Sequence, residues 1–152
     1  MLCFSLRKDI YNYRDINLIS FVNSNLVFYL LNIYSDDYQS ALKYLKDIKA
    51  NLSNVIIITG DFNIRDSNWN LLYLYHSTHA DTLSEVANVV NLKWSSPINP
   101  VSTKYVNNLN NYNFIIDLIF LRGNSRKLNS HLIIPDLRGL SNYVPLIISI
   151  II

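Results

Sequence analysis

The sequence predicts one α/β domain, and three observations carry that reading. Short apolar runs rich in Ile, Val, Leu, Phe and Tyr recur along the 152 residues, two segments between them have helical periodicity, and no linker or internal repeat divides the chain. A chain of this length builds one core. Half of the residues are hydrophobic and 16% are charged. That charged share is below the roughly 25% of an average globular chain and excludes charge-driven disorder. Unbroken apolar runs such as Val55–Ile58 and Leu118–Leu121 are far shorter than the ~20 residues of a membrane-spanning helix, so no bilayer span is expected.

The elements follow in order. Cys3-Phe4-Ser5-Leu6 reads as a strand at the very front of the chain. Asn17–Val22 and Leu26–Ile33, separated by Asn23-Ser24-Asn25, have the spacing of a hairpin. Asp36–Asn51 sets Tyr38, Ala41, Leu42, Leu45 and Ile48 on one helical face and Lys43, Lys46 and Lys49 on the other, with Ser35 or Asp36 as N-cap. Val55–Thr59 is a continuous apolar run closed by Gly60, the pattern of a strand buried on both faces. Asp81–Asn91 predicts a second helix, with Leu83, Val86, Ala87 and Val90 in register and capping-box spacing at Thr82 and Glu85. Trp94–Asn113, with Pro97, Pro100 and many Asn residues, reads as loop around one short strand near Ser102–Val106. Ile115–Leu121, His131–Ile134 and Leu146–Ile152 complete a set of two helices and six or seven strands. The apolar segments at both ends are edges prone to aggregation.

Charge and cysteine content place few limits on function. The net charge of +2 and the clusters Arg7, Lys8, Arg14 and Arg122, Arg126, Lys127, Arg138 do not by themselves define a nucleic-acid face. Arg7, Lys8, Tyr11 and Tyr13 make a small basic-aromatic patch, which reads first as an exposed hairpin tip. The lone Cys3 cannot form an internal disulfide, and no leader pattern precedes it; an intracellular location is expected, with the nucleus compatible. His76-x-x-His79-x-Asp81 lacks a fourth well-spaced ligand, so His76, His79 and His131 read as surface histidines rather than a zinc site.

Three segments carry candidate chemistry. The first is Gly60-Asp61-Phe62-Asn63, followed by Trp69. A carboxylate just beyond a buried strand stands where α/β active sites collect, and Asp61 is a hard oxygen donor suited to Mg²⁺ or a water. A plain turn is the competing reading. The second is Asp117 inside Phe114–Leu121, a carboxylate in apolar surroundings that needs a partner, whether a metal or a capped loop. In the third, Asn32-Ile33-Tyr34, Asn32 and Tyr34 alternate to one face as a strand gives way to a helix, where a tyrosine serves either core or phosphate.

In this order, with Leu140-Ser141-Asn142-Tyr143-Val144-Pro145-Leu146 at the end, these segments resemble the endonuclease/exonuclease/phosphatase superfamily, and most closely the endonuclease domain of LINE-type (non-LTR) retrotransposon polyproteins. The resemblance spans residues 1–152 but lacks the family's first strands. It implies a four-layered α/β sandwich of two packed sheets flanked by helices, truncated at the N-terminus, and Mg²⁺-dependent cleavage of DNA phosphodiesters. By position, Asp61 resembles the water-orienting carboxylate and weak metal ligand, and Asn63 the transition-state phosphate ligand. Tyr34 and Asn32 resemble the phosphate-side pair, Asp117 the supporting aspartate and Thr103 a DNA-contacting threonine.

The chain departs from the family at three corners. The Ser-Asp-His slot reads Ser141-Asn142-Tyr143, so the anionic Asp and the imidazole are both replaced. The early metal-binding Glu has no counterpart, and Ile115 stands where a Ser or Thr is usual. Three readings stay open: an impaired endonuclease, a non-catalytic module that binds nucleic acid or docks on a reverse transcriptase domain, and a decayed retroelement fragment.

Overall fold

The computed structural model describes residues 2–10, 13–23, 26–36, 38–48, 54–70, 73–96, 102–103, 115–122, 130–133 and 146–149. Strands β1 (Leu2–Leu6), β2 (Ile16–Asn23) and β3 (Leu26–Tyr34) form an antiparallel meander. Helix α1 (Ser40–Ile48) then crosses to β4 (Val55–Asp61), which lies parallel to β3. Helix α2 (Thr78–Val89) leads to β5 (Leu92–Trp94), and β6 (Asp117–Arg122) inserts antiparallel between β4 and β5. The sheet order is β1-β2-β3-β4-β6-β5, and β7 (Ser130–Ile133) with β8 (Leu146–Ser149) makes a separate antiparallel pair. The α/β class expected from the sequence is the one observed.

Side-chain alternation gives the large sheet two distinct faces. Ile16 and Leu18 of β2, Leu31 and Ile33 of β3, Ile58 of β4, and Leu118 and Phe120 of β6 are buried in one cluster with Ala41, Leu42 and Leu45 of α1 and Ala80, Leu83, Val86 and Ala87 of α2. Each such aliphatic side chain contributes about 1.5–3 kcal/mol by leaving water, so this helix-covered face carries most of the apolar stabilisation. Ile57, Ile119 and Leu121 point to the opposite face and form a second buried cluster with Leu30 and Ile56. On that same face, toward the β1 edge, Phe4 and Leu6 are exposed.

Both helices begin at places the periodicity alone does not give. Helix α1 starts at Ser40 rather than Asp36, because Gln39 has φ 55° and cannot belong to a right-handed helix. Asp36 instead caps from four residues away, accepting Ser40 N at 2.9 Å and Ser40 Oγ at 3.1 Å. Helix α2 starts at Thr78, not Asp81, with Ser77 as N-cap accepting His79 N at 3.2 Å. Thr82, read as part of a capping box, lies inside the helix and donates to Thr78 O at 3.1 Å. Strand β5 was not expected, and Ser102 and Thr103 are irregular rather than strand; residues 104–106 lie outside the described residues. Among the described residues no helix is long and apolar enough to cross a membrane.

Candidate active site

The sheet register brings three of the singled-out side chains into one row. Tyr34 on β3 pairs with Asp61 on β4, and Asp61 pairs in turn with Asp117 on β6. Directly opposed residues on neighbouring strands share a face, so Tyr34, Asp61 and Asp117 project together, on the face away from the helices. The next row inward is Asn32, Thr59 and Ile119. Tyr34 is 53% exposed, whereas Asp61 and Asp117 are half-buried. The row therefore grades from a solvated phenol to sheltered carboxylates.

Gly60 explains why the motif begins as it does. Its φ of 150° is a conformation L side chains rarely adopt, and a Cβ built there would overlap the carbonyl oxygen of Ile33. The glycine lets β3 and β4 approach closely just before Asp61. Phe62 is fully buried and packs edge-on against Phe120 at 6.2 Å. Asn63 takes φ 50°, donates its backbone N–H to Asp61 Oδ1 at 3.1 Å and gives Nδ2–H to Ser35 O at 2.8 Å. This is the turn chemistry that local reasoning offered as the bland alternative. Here it coexists with the row, because it fixes Asp61 and Asn63 relative to each other.

Hydrogen-bond accounting at the sheet end locates Asp61 and Asp117 more closely. Phe62 N donates to Ile116 O at 3.0 Å, which makes Phe62–Ile116 a hydrogen-bonded rung and Asp61–Asp117 a non-hydrogen-bonded pair. In such pairs the Cα atoms lie about 4.5 Å apart and the side chains are closest. The rung is only half made. Ile116 N turns instead to Thr103 Oγ1 at 3.0 Å, and Phe62 O accepts from Gln39 Nε2 at 3.3 Å. Thr103 Oγ1 also accepts from Asp117 N at 3.2 Å. Gln39 Oε1 is held by the Ser35 hydroxyl at 2.7 Å, and Ser35 N donates to Asp61 O at 2.7 Å.

The loop after β4 is organised by buried polar groups that sequence reasoning missed. Asp66 is fully buried and its carboxylate accepts Asn68 N at 2.8 Å and Ser77 N at 2.7 Å, with His76 Nδ1 at 2.9 Å. His76 Nε2 lies 2.8 Å from Asp81 Oδ1, and the two carboxylates, Asp81 first, raise the imidazole pKa above its ordinary value. His76, expected at the surface, is exposed there and also closes a clasp between Asp66 and Asp81. Trp69 is buried and donates Nε1–H to Ile64 O at 3.0 Å. No composition or spacing signal marks Asp66, Gln39 or Asn70. An Asx turn at Asp66-Ser67-Asn68 was the only available hint.

Asp61 and Asp117 occupy directly opposed positions on β4 and β6, and two carboxylates so placed could share a cation. Among the described residues no group of three or more His, Cys, Asp or Glu side chains surrounds a single point. That donor set suits Mg²⁺, which is commonly held by one or two carboxylates plus water and substrate phosphate, better than an ion needing a full protein cage. The remaining sequence candidates are placed as follows. Asn32 is half-buried one row inward, Thr103 is fully buried, and Asn142 and Tyr143 lie outside the described residues. Arg7 of the basic-aromatic patch pairs with Asp9 at 2.6 Å, and Arg14 of the early basic cluster pairs with Asp15 at 2.9 Å.

By sequence the chain matches no family model and no curated protein. By structure it is similar to the endonuclease domain of TRAS1, a telomere-specific non-LTR retrotransposon, with a TM-score of 0.74 and 16% identity; the match covers 95% of this chain and 65% of that one. It also aligns with D. rerio TDP2 complexed with a single-strand DNA product (TM-score 0.49, 16% identity, 96% of this chain and 65% of that one). A beta toxin from Staphylococcus aureus with bound magnesium ions aligns at a TM-score of 0.49 and 11% identity, over 79% of this chain and 47% of that one. The chain therefore has the fold of the TRAS1 retrotransposon endonuclease domain, of which it spans less than two thirds.

Proposed function

We propose that this chain is a Mg²⁺-dependent phosphodiesterase acting on DNA, of the retrotransposon-endonuclease type and weakened in rate. The observation that carries the proposal is the cross-strand row Tyr34–Asp61–Asp117, flanked by Asn63, on a sheet of endonuclease topology. In this reading Asp61 orients the attacking water and, with Asp117 beside it, offers carboxylate oxygen to the metal. Bound Mg²⁺ supplies charge neutralisation for the scissile phosphate. Tyr34, exposed at the end of the row, presents its phenol to a phosphate oxygen, and Asn63 contributes its side-chain amide on the opposite flank. Asn32 supports Tyr34 from the adjacent row. Thr103, with its hydroxyl turned to the chain's own amides, supports Asp117 instead of touching DNA.

The weakening follows from Ser141-Asn142-Tyr143. Asn142 has no charge and Tyr143 carries a phenol instead of an imidazole, so two groups the resemblance would supply are absent from that slot. Loss of members of a catalytic unit typically costs on the order of 10³–10⁶ in rate. The same replacement favours a second reading, a DNA-binding or reverse-transcriptase-docking module without catalysis. A supercoiled-plasmid nicking assay separates the two. Slow nicking that requires Mg²⁺, stops in EDTA and disappears in Asp61→Asn supports the enzyme. DNA retention in a salt-sensitive binding assay with no nicking supports the module.

A further inference from the structure

The strand carrying Asp117 begins at Asp117 itself, so a residue of the row is also the one at which its strand would start to fray. The two residues before it lie outside the strand, Ile116 keeping only half of a rung with Phe62. They are held by other means: Ile116 through Phe62 N and Thr103 Oγ1, and Ile115 through Asn70. Asn70 is 7% exposed, and its side-chain amide binds both backbone groups of Ile115. Oδ1 accepts Ile115 N–H at 2.6 Å, and Nδ2 donates to Ile115 O at 3.2 Å. The same Nδ2 donates to Asp66 O at 3.2 Å, and Asn70 N donates to Asp66 O at 3.0 Å. One primary amide thus imitates the missing neighbouring strand at Ile115, while its own backbone is locked into the turn built on Asp66. It bridges 45 residues of sequence, from the loop that follows Asp61 to the strand that carries Asp117.

We infer that Asn70 is a positioning residue for Asp117, fixing the start of its strand and with it the spacing of the Asp61–Asp117 pair. The inference rests on the reading of that row as the phosphodiesterase site. Asn70, reaching in from a different loop, supplies the polar bracing at the start of this strand. Catalytic geometry is sensitive at this scale, since a misplacement of about 1 Å can cost on the order of 10²-fold in rate.

Three variants of the whole chain test this. Asn70→Asp is isosteric, keeps the acceptor for Ile115 N–H and turns the two donor contacts into oxygen–oxygen repulsions. Asn70→Leu removes all of them and decides the question if Asn70→Asp does not fold. Val86→Ala, on the buried face of α2, is the control for loss of stability alone. Amide exchange of Ile115, Ile116 and Asp117 and the Asp117 carboxyl ¹³C shift are read by NMR, and nicking and DNA affinity are read alongside. The expected result is exchange at Ile115–Asp117 faster by about tenfold or more in the Asn70 variants but not in Val86→Ala. The carboxyl resonance moves, and nicking falls about ten- to a hundredfold with DNA affinity unchanged. Exchange and carboxyl shifts no different from Val86→Ala would overturn the inference. If the unsubstituted chain does not nick, the phosphodiesterase reading fails, and the exchange and ¹³C results still decide whether Asn70 sets Asp117.

Discussion

At the scale of single residues, the candidate site depends on positions where the backbone leaves ordinary conformations. Gly60 and Asn63 flank Asp61 with φ of 150° and 50°, and Gln39, across from them, has φ 55°. Asn tolerates the left-handed region better than most residues, and Asn63 is held in it by its N–H to Asp61 Oδ1 and its Nδ2–H to Ser35 O. Gly60 has no such substitute. Gly60→Ala is expected to destabilise the chain by about 3 kcal/mol or more, because the new methyl meets a backbone carbonyl that cannot rotate away. Urea unfolding measures this directly; a loss below about 1 kcal/mol would mean that β3 and β4 can separate at little cost. Gly60, Asp61, Asn63 and Asp117 were legible in the sequence because each carries a distinctive local chemistry in a distinctive local setting. Asn70 and Gln39 were not. Their partners lie 45 and 23 residues away, and Asn fills about one position in seven of this chain, so no single Asn stands out.

At the scale of elements, α2 is tied to the loop before it by His76. Both ring nitrogens face carboxylate oxygens, Asp66 at 2.9 Å and Asp81 at 2.8 Å, and ionised carboxylates only accept. The clasp is complete only when both nitrogens carry protons, that is, as the imidazolium. The raised pKa has the same cause. A folded-state pKa above the unfolded one gives stability that is fully present below the unfolded value of 6.5 and is lost as pH rises through the folded value. The difference in melting temperature between the unsubstituted chain and His76→Gln should therefore be largest near pH 5.5 and shrink toward about pH 8.5. A difference that is flat or grows with pH would contradict the clasp. The helices themselves were visible from periodicity, whereas their first residues were not. Asp36 and Ser77 cap by side-chain geometry, and Gln39 interrupts the helical backbone just where the apolar spacing would carry it further back. Strand β5, three residues long, is too short for alternation to register.

At the scale of the whole molecule, the two faces of the sheet divide the work. The helix-covered face holds the main core, and the opposite face holds the Tyr34–Asp61–Asp117 row beside the Ile57, Ile119 and Leu121 cluster. The α/β class and strand sequence could be read from apolar runs, because strand burial imposes composition. The order β4-β6-β5 could not, since pairing across the long 95–116 connection leaves no local trace. The central claim is that the two aspartates act as one site. It is tested most directly by single-turnover nicking rates, in Mg²⁺, of the unsubstituted chain, Asp61→Asn, Asp117→Asn and the double variant. Either single change is expected to remove most of the activity, with the double variant little worse than the more damaging single one. Losses that multiply, or an Asp117→Asn rate equal to that of the unsubstituted chain, would show that the row in the sheet is not a catalytic unit.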